Sequence, residues 1–206
     1  MKSIVEQIAE RKNVLAELEA PDALAAMHKW YKPQLLSTRK HLQAAISANT
    51  SRRIKIYRIQ TIMSELRENP AAHTACKKGC SNCCHMHVML SQSEADAIGS
   101  RIARRPIQLN PEHKMQGVNA YGRETPCTFL VDGACSIYEN RPFICRDYVN
   151  SDRDNLLCSF ENWDLLKTND PRCVFVPRPD AQFLVKTYIN ICRADVFGDI
   201  RDFFPA

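Results

Sequence analysis

The residues most able to do chemistry in this 206-residue chain are its ten cysteines, all of which fall between Cys76 and Cys192. The densest stretch reads Cys76-Lys-Lys-Gly-Cys80-Ser-Asn-Cys83-Cys84-His85-Met86-His87. Spacings of two and three residues let a tight loop turn successive thiolates toward one centre, and Gly79 gives that loop its backbone freedom. Zinc takes four ligands with sulfur at about 2.3 Å, whereas an iron–sulfur cluster takes up to four thiolates on a larger frame. Four cysteines within nine residues are too many for chance packing residues. In a reducing compartment they are not expected as disulfides either. Cys83 and Cys84 are adjacent, and adjacent side chains ordinarily diverge. One of them is therefore expected to serve a second metal, a second iron of the same cluster, or thiol exchange.

A second group follows in Cys127-Thr-Phe-Leu, Cys135-Ser-Ile-Tyr138 and Arg141-Pro142-Phe-Ile-Cys145-Arg146. Together the groups give seven expected metal ligands: Cys76, Cys80, Cys83, Cys84, Cys127, Cys135 and Cys145. Cys158 is the natural eighth by distance along the chain. His85, His87 and Arg146 are candidates for further ligands or for donors that orient the ligands. Arg141 and Arg146 flank Cys145, where a guanidinium would favour the thiolate; alternatively they bind carboxylates such as Asp147 and Asp152. Cys173 and Cys192 lie in apolar or helical contexts and read as packing cysteines.

The elements that must position these thiols are mostly helical. Residues 1–70 read as a helical arm, with Ile4, Ile8, Leu15 and Leu18 on one stripe broken by Arg11. Ala23 to Ser47 is a second helix-forming stretch, with Pro33 as a kink or new start. Ile59, Ile62, Met63 and Leu66 then recur at i, i+3, i+4, i+7. Residues 71–206 read as a cysteine-cluster metal-binding domain ending in a helix over about 180–193. Ser91 and Glu94 form a capping-box pattern ahead of a helix over about 92–104, closed by Pro106. Pro111 to Gly117 is expected to start a short helix. CTFLV and ACSIY around Asp132-Gly133 read as a hairpin. A strict two-residue turn pairs Leu130 with Cys135 and puts Cys127 and Cys135 on opposite faces, whereas a longer loop or a bulge brings them together. Arg141-Pro142 reads as a helix start with Cys145 in the first turn. The expected fold is α+β and predominantly helical: a helical arm packed on a small cysteine-rich domain with a short β-hairpin.

The ordered motifs CKKGCSNCC, PCTFL and CSIYENRPFICRDY resemble the YkgJ-type cysteine-cluster family, a zinc- or iron-chelating domain. They fall on Cys76, Cys80, Cys83, Cys84, Pro126-Cys127, Cys135 to Tyr138, Arg141-Pro142 and Cys145-Arg146. One departure is a first gap of three residues where the family's CxxCxxCC pattern has two. The resemblance implies metal or iron–sulfur binding and leaves the reaction open, its larger relatives including flagellin lysine methylases.

Composition narrows the rest. A net charge of +5 is mild, and metal-bound thiolates would cancel it, so nucleic-acid binding is not expected. No apolar run of membrane-spanning length and no signal peptide stands in the sequence, and a cytoplasmic location is expected. A protein partner could dock on the N-terminal helices. Cys76-x3-Cys80-x2-Cys83 also matches radical-SAM spacing, but too little chain follows for a large barrel, and Asn82 stands where those enzymes carry an aromatic residue. The leading expectation is a protein holding zinc, iron or an iron–sulfur cluster through thiolates, with the cluster favoured by the surplus of thiols, in redox chemistry or metal handling. The alternatives are a metal- or cluster-dependent enzyme, either an oxidoreductase or a protein methylase, and a structural zinc module that supports an interaction surface. Loss of metal is expected for Cys80→Ser or Cys145→Ser, and its retention for Cys192→Ser.

Overall fold

The computed structural model describes residues 2–18, 21–68, 75–76, 79–178 and 180–206. Helix α1 (Ile4–Leu18) starts at a complete capping box. Glu6 N–H donates to Ser3 Oγ at 3.2 Å, and the Glu6 carboxylate accepts from Ser3 N–H at 2.7 Å. Helix α2 (Pro21–Ser47) opens on a proline, whose missing N–H costs nothing in a first turn, and runs on through Pro33. Helix α3 (Arg52–Glu68) buries Ile59, Ile62, Met63 and Leu66 as their spacing requires. In α1 the stripe is only partly apolar. Ile8 is buried and Ile4 exposed, while Arg11, read as an interruption, is itself buried at 4% exposure. The Leu18 side chain, those of residues 21–32 and the boundary expected at residues 70/71 lie outside what is described.

Helix α4 (Gln92–Ile102) takes its N-cap from Ser91, whose Oγ accepts from Glu94 N–H. The return bond of the expected capping box does not form. Ser91 N–H donates instead to Tyr188 Oη at 3.0 Å, and the Glu94 carboxylate turns into the core. The short helix expected at 111–117 is absent: Asn110 Oδ1 takes the Glu112 N–H at 2.8 Å, and that local bond holds a turn. Helices α5 (Phe143–Asp147), α6 (Phe160–Lys167), α7 (Gln182–Ile191) and α8 (Ile200–Phe203) complete the helical set.

Among the described residues there are two small antiparallel sheets, one joining distant segments and the other a local hairpin. Strand β1 (Met89–Ser91) pairs with β4 (Phe197–Asp199), and β2 (Leu130–Val131) pairs with β3 (Ala134–Cys135). In the second, Leu130 faces Cys135 across a two-residue Asp132-Gly133 turn. Both turn residues have positive φ, 48° and 73°, which an Asp-Gly pair tolerates. The fold is thus predominantly helical α+β. One apolar core joins α3 to α5 and α7 through Ile59, Met63, Phe143 and Leu184. A second lies under β1, α4 and α8 through Leu90, Ile98, Phe129 and Phe203. A third docks α1 on α6 through Ile8, Leu157 and Leu165. Among the described residues no helix is long and apolar enough to cross a membrane.

Candidate metal centre

Six cysteines line one cavity of about 50 Å³: Cys80, Cys83, Cys84, Cys127, Cys135 and Cys145. They come from three stretches of chain, and each is aimed by a different local device. Gly79, at φ 92°, turns the chain into Cys80 in a conformation that L side chains rarely adopt. A 3₁₀ turn over Asn82–His85 then carries Cys83 and Cys84. With three residues per turn, neighbours sit roughly 120° apart rather than opposed. That is why the adjacent pair shares one cavity, contrary to the divergence expected for neighbours. Cys127 precedes the hairpin, in a turn closed by Leu130 N–H donating to Cys127 O at 2.9 Å. Strand alternation therefore does not govern it, and the strict two-residue hairpin still leaves Cys127 and Cys135 on the same cavity. Cys145 sits in the first turn of α5, whose start is set by Pro142.

Two side chains lock these stretches together. Cys127 N–H donates to Cys84 O at 2.6 Å, and the Arg201 guanidinium spans the same joint. Arg201 donates to the carbonyls of Cys84 and Met86 at 3.3 Å, Thr125 at 2.8 Å and Pro126 at 3.1 Å. Asp199 holds that guanidinium at 2.6 Å and also takes Val88 N–H at 2.7 Å. Arg201 was not legible as a site residue. The sequence signal available was the capping box of Asp199 and Asp202 at the start of α8, which predicts a helix and not a clamp. Glu94 is the second. Its Oε1 accepts from Phe143 N–H at 2.7 Å and so fixes the start of α5 two residues before Cys145.

The walls are apolar, with Val88, Phe129, Ile137 and Ile200, and among the described residues Arg141 is the one charged side chain on them. Arg141 stacks over the Tyr138 ring at 4.0 Å, and its Nε is buried without a hydrogen-bond partner among the described residues. Burial pushes the Cys145 thiol well above its ordinary value, and pushes Cys127 up to about 11 and Cys135 upward. Cys83 is raised first by its hydrogen bond with Cys84 and then by burial. The Arg141 charge works against these shifts at Cys83, Cys135 and Cys145. In the metal-free cavity Cys83, Cys127, Cys135 and Cys145 are therefore held toward the neutral thiol, and a thiophilic cation must displace their protons on binding.

The remaining candidates lie elsewhere. Cys76 and Cys158 flank Asn150, outside the cavity walls. His85 Nδ1 is 3.2 Å from Arg123 O, and its ring meets Phe160 edge-on. His87 lies against Tyr121, with Nε2 buried and unpaired among the described residues. Neither histidine lines the cavity. Arg146 points away from the sulfurs, donating to the carbonyls of Arg141 and Glu139 and to Ser64 Oγ. The carboxylates weighed as its partners are taken by others, Asp147 by Arg67 at 2.7 Å and Asp152 by Arg11. Cys192 is fully buried in the α3–α7 core, and Cys173 packs against the α1–α6 core.

A cysteine-walled chamber on a small helical α+β frame is a donor set suited to metal chelation. Comparison with protein families agrees: residues 75–174 match the CxxCxxCC family model, described as "Putative zinc- or iron-chelating domain". The match runs past Tyr148, where the sequence motifs end, and takes in Cys158 and Cys173. No curated protein and no solved structure compared with the chain matches it.

The donor set fits a thiophilic metal group. Among the described residues, no three His, Cys, Asp or Glu side chains are grouped as the ligands of one ion. The six sulfurs surround a space instead. At about 50 Å³ that space exceeds the roughly 10–15 Å³ that a single water requires.

Proposed function

We propose that the cavity holds an iron–sulfur cluster and that the protein serves redox chemistry or metal handling. The observation that carries this reading is six cysteines around one apolar-walled space larger than a single water requires. A tetrahedral zinc site draws its sulfurs to about 2.3 Å from one point, whereas a cluster keeps them apart, each on its own iron. When bound, such a cluster supplies one-electron chemistry. Cys83, Cys127, Cys135 and Cys145 would hold it, with Cys84 as the adjacent fifth thiol. Val88, Phe129, Ile137 and Ile200 keep water from the sulfurs, and Arg141 offsets part of their negative charge without ligating anything.

The test is iron and acid-labile sulfide per chain in anaerobically reconstituted Cys127→Ser, Cys145→Ser and Cys192→Ser. The first two should lose most of both, and Cys192→Ser should match the parent protein. Full retention in Cys127→Ser and Cys145→Ser overturns the assignment.

A further inference from the structure

A second cavity, of about 440 Å³, opens between the loop that follows Pro106 and the turn that leads from α7 into β4. Pro111, His113 and Met115 form one side of it, and Arg193, Val196 and Phe197 the other. Its size falls within the roughly 300–1,000 Å³ of small-molecule sites. No described cysteine lines it.

Gln92 joins the two walls. Its backbone N–H donates to Val196 O at 2.9 Å, while its side chain donates to Ile107 O at 3.2 Å and accepts from Leu109 N–H at 3.0 Å. Further along the loop, His113 N–H donates to Asn110 O at 2.8 Å. Bonds of this kind set the shape of the cavity before a ligand arrives, which lowers the ordering cost of binding.

The charges around the cavity are unequally used. Asp195 also lines it, but its carboxylate pairs with Arg52, accepts from Ser93 N–H at 3.2 Å and is only 6% exposed. His113 Nε2 lies 3.1 Å from Asp202 Oδ2, which also accepts from Asp199 N–H at 2.8 Å. Asp199 in turn holds Arg201, so hydrogen bonds join the cavity to the clamp over the cysteines. Arg193 is exposed, and among the described residues no carboxylate or carbonyl takes its guanidinium. The cavity thus offers one uncommitted planar cation beside the apolar surface of Met115, Val196 and Phe197. A guanidinium binds a carboxylate through two parallel N–H···O bonds. Asp195 on the wall and Asp202 behind His113 disfavour a dianion, so a monoanion with an apolar body suits the cavity best.

We propose that this cavity is a binding site for a small organic monocarboxylate, with Arg193 clasping the carboxylate and Met115, Val196 and Phe197 receiving the apolar body. The site is independent of which metal group the cysteine cavity holds.

The test is saturation-transfer NMR with sodium benzoate on the full chain as purified without oxygen, at constant ionic strength. Benzoate should bind saturably, with a dissociation constant on the order of 1 mM, as so small a ligand allows. Arg193→Gln should weaken binding by about 10-fold or more, through the lost charged hydrogen bonds. Met115→Asp should weaken it as well, by setting a like charge against the carboxylate. Both side chains are exposed, so neither change disturbs the core. Lys40→Gln removes the same charge from an exposed position on α2 and should match the parent protein. Benzamide, the uncharged isostere, should show no saturable binding at the same concentrations. Equal benzoate binding by Arg193→Gln and the parent protein puts the ligand elsewhere and overturns the proposal. Benzamide binding as tightly as benzoate also overturns it, by making the cavity a general apolar surface. So does inorganic phosphate that displaces benzoate at equal concentration, by making it a general anion site.

Discussion

Glu94 is a carboxylate with no exposed surface, and it holds three elements at once. Tyr188 Oη donates to it at 2.5 Å from α7, Gln60 Nε2 at 2.6 Å from α3, and Phe143 N–H at 2.7 Å from α5. Burial raises its pKa, and these bonds only partly pull it back. The folded protein therefore holds the Glu94 proton more tightly than the unfolded chain does. The stabilisation from that proton is complete below the ordinary carboxylate range and is lost as pH rises through the raised value. Glu94→Gln keeps the shape and removes the titration. The stability of the parent protein relative to Glu94→Gln should fall as pH rises from about 4.5 toward neutrality, in urea unfolding of both proteins. A difference that stays flat with pH contradicts this role. The sequence placed Glu94 in a capping box, and half of that box is real. The other half went to Tyr188, far along the chain, which no local pattern encodes.

At the scale of elements, α1 is fastened to the cysteine-bearing body by a buried cation. Arg11 pairs with Asp152 and, at 2.8 Å, with Asp154, on the segment that also holds Asn150 and Cys158. Arg11 and Asp152 are 4% and 5% exposed, so neither can turn to water when its partner is lost. Arg11→Met should cost about 3–5 kcal/mol in urea unfolding, through the charge left unpaired at Asp152. It should also make Cys158 more open to alkylation, since Asn150 shares that segment. A loss under about 1 kcal/mol would place the pair among ordinary surface bridges and contradict the clamp. Periodicity made the α3 face legible, and turn chemistry made the hairpin and the start of α5 legible. Arg11 was not legible, because a charge on an apolar stripe looks like a flaw until its distant partner is known. The turn at 111–117 was missed because Asn110 competes locally with helix formation.

Over the whole molecule, the site is a convergence of cysteines from three separate stretches onto one apolar core. The spacing of the cysteines pointed to metal chelation, and the family match to residues 75–174 agrees with that chemistry. What spacing could not tell is how the thiols divide. Cys80, Cys83, Cys84, Cys127, Cys135 and Cys145 share the cavity, while Cys76 and Cys158 gather at Asn150. That division depends on the 3₁₀ turn, on Arg201 and on Asn150, and each acts through contacts distant in sequence. The most direct measurement is iron, zinc and acid-labile sulfide per chain in protein purified without oxygen. Iron with matching sulfide is the expected result. Zinc at two per chain with neither iron nor sulfide would contradict the cluster and make the cavity a zinc site.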